Sequence, residues 1–160
     1  METLIEDCLT YDPDTGLFKW INPSGSGVFK QGWFTGTIDN GYAHIRVNGK
    51  KYKAHRLAWF LMKGEWPKNQ IDHIDGNRSN NKLNNLRDVT PSVNMQNMKR
   101  PNGLNTSGYL GVHFDNARQK YTARLTLNGK KEFLGRFETA EEAYEAYLQA
   151  KRLRHEGNTL

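Results

Sequence analysis

Cysteine is almost missing from this chain, and its scarcity excludes two kinds of scaffold. Cys8 is the sole cysteine in 160 residues, so neither an internal disulfide nor a structural zinc built from CxxC pairs is possible. Any metal must be held by oxygen and nitrogen ligands. Long apolar runs are missing as well: no stretch approaches the roughly 18 residues that cross a membrane. The opening METLIEDCLT has neither a basic leader nor a long apolar core. A soluble, intracellular protein is expected. Acidic residues are the scarcer charge, 17 against 23 Lys and Arg for a formal charge of +6, which leans towards a polyanionic partner. With 36% hydrophobic residues, the length suits one ordinary domain or two small ones.

Local signals divide the chain. Residues 11 to 53 read as β-structure, with a turn at Asp12-Pro13-Asp14-Thr15-Gly16 and Asn48-Gly49 between two alternating runs, the strongest short hairpin signal. Leu57, Ala58, Leu61 and Met62 fall at helical spacing within 54–63, ahead of Gly64. A short strand is predicted over 70–74, an asparagine-rich loop over 78–85, and a returning strand over 86–89. Thr90-Pro91 then caps a short helix over 92–98. Residues 99–107 read as a polar, basic linker. Beyond it, strands are predicted near 109–114, 120–127 and 131–135, with Asn128-Gly129 as a second tight hairpin. A helix should run from Ala140 to His155, opened by the capping box Thr139-Ala140-Glu141-Glu142 and closed by Gly157. Its packed face is expected to hold Ala143, Ala146, Tyr147, Ala150 and Leu153.

The residues richest in chemistry are Ile71-Asp72-His73-Ile74-Asp75-Gly76-Asn77, then Asn84-Asn85-Leu86-Arg87, then Asn94 and Asn97. A strand ending in Asp-His, a loop, a returning strand and a short helix can focus an acidic and an amide ligand on one point. Phosphodiester hydrolysis needs a base to activate water and a hard cation to neutralise charge on the phosphate and the leaving oxygen. Histidine titrates near neutral pH and suits the first task. Carboxylate and amide oxygens suit the second, with magnesium or manganese.

Over roughly residues 42–97 the chain resembles a phage-type HNH endonuclease of the His-Me finger group. The match includes Ala54-His55-Arg56-Leu57-Ala58-Trp59, Gly64-Glu65-Trp66-Pro67, Asp72-His73, Asn84-Asn85-Leu86-Arg87 and Asn94 to Asn97. The resemblance implies a ββα-metal core in which His73 is the general base and Asp72 and Asn94 hold one Mg2+ or Mn2+ ion. Asn85 would brace the loop that presents His73. Asn94 stands where many members carry a second histidine, which argues against a zinc- or nickel-centred variant. Arg56 and Arg87 are candidates for phosphate contact. His55 reads as a cap or packing residue, His44 as structural or DNA-facing, and Trp59, Phe60 and Trp66 as core and loop anchors. Asp75 reads as a turn former or as a carboxylate that orients the metal's ligands.

The segments Ser107-Gly108-Tyr109-Leu110-Gly111-Val112-His113, Lys120 to Leu125, Phe133-Leu134-Gly135-Arg136-Phe137 and Thr139 to Tyr144 resemble an AP2 domain. The resemblance implies a three-stranded sheet that reads DNA while one helix packs behind it. Strand alternation puts Tyr121, Ala123, Leu125 and Leu127 on the helix side and Thr122, Arg124 and Thr126 on the other, with His113, Lys131 and Phe133. That second face is the expected DNA surface. Leu110, His113 and Phe133 depart from the arginine and tryptophan common in plant members, so no base preference carries over.

The expected class is α+β. A ββα-metal core with an N-terminal β-rich extension (1–98) is followed by a linker (99–107) and a three-stranded antiparallel sheet packed on one helix (108–160). Double-stranded DNA is the expected partner, with a homodimer if both strands are cut, and the bacterial host cytoplasm the expected location. Two rivals stand beside this reading. One is a non-catalytic, sequence-specific DNA-binding protein with a scaffold HNH core. The other is an RNA-directed nuclease, against which stands the lack of an RRM-type aromatic signature.

Overall fold

The computed structural model describes residues 4–22, 31–98, 101 and 105–159. It is a mixed α/β structure of small antiparallel sheets and few helices, forming two compact units, Met1–Val89 and Thr90–Leu160. None of its helices is long and apolar enough to cross a membrane.

The first unit opens with a single helical turn, α1 (Ile5–Cys8), that sequence patterning misses. A meander of β1 (Leu9–Asp12), β2 (Leu17–Trp20) and β3 (Trp33–Phe34) follows. A second sheet pairs β4 (Thr37–Asp39), β5 (Tyr42–Val47) and β6 (Lys50–Lys53). Asn48 and Gly49 both take positive φ, 49° and 77°, the conformation an inward-twisting two-residue hairpin demands. Helix α2 (Ala54–Lys63) begins directly after β6 and ends where Gly64 turns left-handed at φ 71°, as expected. Its buried face, Ala54, Leu57 and Ala58, packs into one core with Cys8, Leu9, Phe18, Ala43, Ile45, Val47, Ile71 and Leu86. The last two come from the hairpin of β7 (Gln70–His73) and β8 (Leu86–Val89), joined through a 3-10 turn at Leu83–Asn85.

In the second unit, α3 (Pro91–Gln96) is capped by Thr90, whose hydroxyl accepts from the Val93 N–H. A sheet follows in the order β11-β10-β9, built from β9 (Val112–Asp115), β10 (Lys120–Leu127) and β11 (Lys130–Phe137). Helix α4 (Ala140–Arg154) carries the expected reciprocal capping box between Thr139 and Glu142. Two expectations need correction. The first strand begins at Val112, not Tyr109: Gly108 and Gly111 take positive φ, and a Cβ on Gly111 would lie 2.2 Å from the Tyr147 ring. Leu153 is 84% exposed, because the buried stripe runs through Ala140, Ala143, Tyr147, Ala150 and Lys151 and Leu153 lies off it at 100° per residue. Asn105 and Ser107 hydrogen-bond the carbonyls of Tyr109 and Val112. Of the expected linker, residues 99, 100 and 102–104 lie outside the described set.

Helix α3 is too short to hold itself, and none of its residues is buried. The C-terminal segment grips it. Gly157 N–H donates to Gln96 Oε1 at 3.0 Å, Thr159 Oγ1 to Asn97 Oδ1, and the buried Lys151 ammonium to the Met98 carbonyl at 2.7 Å.

Candidate active site

Strand β7 runs from an exposed end at Gln70 into the core, so its last three residues are buried. Asp72 and His73 sit there as strand neighbours, opposite Arg87 and Leu86 of β8. Arg87 donates from Nε at 2.8 Å and Nη2 at 2.7 Å to Asp72 Oδ2, a charge-assisted pair that compensates the buried carboxylate.

The chain leaves β7 through Ile74 and Gly76, whose N–H groups donate to the carbonyls of Asn85 and His73 at 2.9 and 2.8 Å. Asn85 holds this turn with its whole amide. Its Oδ1 accepts from the Asp75 N–H at 2.9 Å, and its Nδ2 donates to Asp75 Oδ1 at 3.0 Å and to the Asn80 carbonyl at 2.8 Å. Asp75 is engaged further by Asn80 Nδ2 at 2.7 Å and the Asn77 N–H at 2.8 Å. Burial pushes the Asp75 pKa up, but these hydrogen bonds outweigh it and hold the carboxyl below its ordinary value. Asp75 is thus the knot of the loop.

His73 is boxed by aromatic and amide groups. The His55 ring meets it edge-on at 5.1 Å, and the Tyr42 ring lies 5.5 Å from His55 and 6.3 Å from His73. The Lys53 ammonium and the Arg78 guanidinium each sit 4.8 Å from the Tyr42 ring, a cation–π arrangement. Nε2 of His73 lies 3.2 Å from Asn81 Oδ1. Burial lowers the His73 pKa, against the opposing hydrogen bond from Asn81. Burial, then the charge of His73, lowers His55 to about 3. Both rings are therefore neutral at neutral pH, and a neutral His73 has a lone pair for a proton.

His55, Asn81 and Tyr42 are the residues that sequence reasoning undervalued. His55 opens α2 and packs, as expected, yet what it packs against is His73. Asn81 reads as one turn asparagine among several. Nothing local marks either: His55 meets His73 from a different element, and Asn81, though only 8 residues from His73, is one of several like asparagines in its loop.

Asn94 lies on α3 in the second unit, half-buried. Arg56 donates to the Asn69 carbonyl at 3.4 Å and lies 6.0 Å from the Trp66 ring, itself stacked between Tyr52 and Phe60. On the sheet of the second unit, the register sets His113 opposite Thr122, Phe133 opposite Arg124 and Lys131 opposite Thr126. Burial, then Arg124 and Lys131, lower the His113 pKa. A cavity of about 560 Å3 in this unit is lined by His113, Arg124, Thr126 and Lys131 together with Met95 and Met98. Phe133 is exposed, with the Arg136 guanidinium 5.0 Å from its ring.

Among the described residues no three His, Cys, Asp or Glu side chains cluster as a metal cage. A closed zinc site does not fit that donor set. A hard cation fits better: magnesium commonly takes one or two carboxylates and completes its shell with water and phosphate oxygens, and Asp72 offers such a carboxylate.

The model of the HNH endonuclease family matches residues 52–96. That span takes in His55, Asp72, His73, Asn81, Asn85, Arg87 and Asn94, and leaves Tyr42 and the sheet of the second unit outside. Protein 3.8 of Escherichia phage T7 is 42% identical over 84 residues, which are 50% of this chain and 69% of that protein. A SPbeta prophage-derived protein of Bacillus subtilis (strain 168), YosQ, whose name assigns it to the HNH homing endonucleases, is 40% identical over 55 residues. Those residues are 34% of this chain and 32% of that protein. No solved structure matches the chain.

Proposed function

Because the chain belongs to the family of protein 3.8 of Escherichia phage T7 and carries an HNH endonuclease domain over residues 52–96, we propose that it is a metal-dependent DNA endonuclease. The observation that carries this reading is the buried Asp72-His73 pair at the end of β7, above a loop knotted through Asn85 and Asp75. In it, His73 takes the proton from the attacking water and Asn85 holds the turn that presents His73. Asp72 and Asn94 hold one Mg2+ or Mn2+ ion, which when bound neutralises charge on the scissile phosphate and the leaving oxygen.

Residues 108–160 serve as an AP2-like DNA-binding module. Its contact face carries His113, Arg124, Thr126, Lys131 and Phe133, with Arg56 adding a phosphate contact from the first unit. The cavity lining on that face contains no acidic side chain among the described residues, which supports a polyanion there. Arg87 fits a phosphate role less well, since its guanidinium is engaged by Asp72. The partner is double-stranded DNA, the site of action the bacterial host cytoplasm, and cleavage of both strands calls for a homodimer.

One observation favours the rival reading, a DNA-binding protein with a non-catalytic core: the Arg87 guanidinium already neutralises Asp72. Supercoiled plasmid incubated with magnesium, with manganese and with a chelator separates the two. The nuclease reading expects loss of the supercoiled form with either ion and none with the chelator. Intact plasmid under every condition sinks it.

A further inference from the structure

The N-terminal hairpin lies outside the span matched by the nuclease family, yet it is built onto the loop beneath His73. The Tyr11 hydroxyl donates to the Asn81 carbonyl at 2.6 Å, and Leu83 N–H donates to the Pro13 carbonyl at 3.0 Å. Between these two contacts the β1–β2 turn presses on the loop at Gly16. A Cβ there would lie 2.7 Å from the Lys82 nitrogen and 2.8 Å from the Asn81 carbonyl carbon, both backbone atoms that cannot swing away. Gly16 also takes φ 75°, so glycine is required twice over. Asn81 itself is 1% exposed. Its Oδ1 is the 3.2 Å partner of His73 Nε2, and its Nδ2 has no hydrogen-bond partner among the described residues. A buried amide left half-satisfied is costly. What holds it there is the hairpin, through the Tyr11 hydroxyl on its carbonyl and the Gly16 turn against its backbone.

We infer that Asn81 is a positioning residue for His73, and that the hairpin, through Tyr11 and Gly16, sets where Asn81 stands. An amide oxygen only accepts, so the contact places the imidazole proton on Nε2 and turns the Nδ1 lone pair to the opposite side of the ring. The hairpin fixes the height of the loop and Asn81 transmits it, so that the ring has one orientation and one tautomer before substrate arrives. This deepens the nuclease reading and rests on it for its catalytic consequence, but the tautomer itself does not depend on cleavage.

The test uses the full chain with nitrogen-15 in its histidines, and the variants Asn81→Leu, close in shape but without polar atoms, and Tyr11→Phe, which removes one hydroxyl. The wild type should show His73 protonated on Nε2. Asn81→Leu should convert that signal to a mixture of tautomers, and kcat for DNA cleavage should fall about tenfold to a hundredfold with KM held within about twofold. Tyr11→Phe should move both readouts in the same direction by less. Asn81→Asp keeps an acceptor oxygen and should restore the Nε2-protonated signal. A folded Asn81→Leu with the wild-type imidazole spectrum and wild-type kcat overturns the assignment, and a silent Tyr11→Phe overturns the hairpin's part in it. Should Asn81→Leu not fold, Tyr11→Phe decides alone. A wild type that cuts nothing fails the nuclease reading instead, while the imidazole spectra still decide whether Asn81 orients His73.

Discussion

At the scale of single residues, the two buried histidines carry a consequence for stability. His55 is folded into the core beside His73, and its pKa is lowered to about 3. In the unfolded chain it protonates near 6.5. Below that value the unfolded state binds the extra proton and the folded state does not, so stability falls as pH drops through 6.5 and goes on falling towards 3. From neutral pH to pH 5 the loss from His55 alone is about 2 kcal/mol. Urea unfolding at both pH values, for the wild type and His55→Gln, checks it: the variant should lose markedly less, and equal losses would remove His55 as the cause. His55 also shows what a linear reading misses. Its place at the start of α2 was legible, whereas its neighbour His73 arrives from another strand, and no periodicity reports a contact between distant segments. Asp72, His73 and Asn85 stood out because motif spacing keeps them close in the chain. Asn81 did not, since four neighbouring asparagines look alike until the hairpin singles one out.

At the scale of elements, legibility followed the strength of local chemistry. Asn48-Gly49, Gly64, Thr90-Pro91 and the Thr139–Glu142 box each impose a backbone conformation or satisfy a terminal N–H, and the elements they bound start or stop at those signals, although α3 ends at Gln96 and not at Met98. Two errors came from tertiary effects. The first strand of the second unit starts late because Gly111 must pass against Tyr147, and Lys151, not Leu153, faces inward because the Met98 carbonyl receives its ammonium. The C-terminal grip on α3 had no local signature at all. A Cβ on Gly157 would lie 2.2 Å from the Val93 carbonyl oxygen, a backbone atom held by the helix. Gly157→Ala should therefore cost about 1 to 3 kcal/mol by overpacking, read as a lower midpoint in thermal unfolding. An unchanged midpoint would mean that α3 is held by other contacts.

At the scale of the whole molecule, the chain is two units with separate cores, one holding Asp72, His73 and Asn85 and the other Asn94 and the three-stranded sheet. Its charge of +6 acquires a place to act if the His113, Arg124 and Lys131 face meets DNA. Contact with about 6 to 10 phosphates would weaken binding by a factor of about a thousand or more between about 50 and 200 mM salt. A salt-insensitive complex would remove the sheet from that role. The central claim is that His73 takes a proton during phosphodiester hydrolysis, and single-turnover cleavage of plasmid by wild type and His73→Ala tests it most directly. The rate should fall about a hundredfold to ten-thousandfold in the folded variant; equal rates for the two proteins would contradict the account.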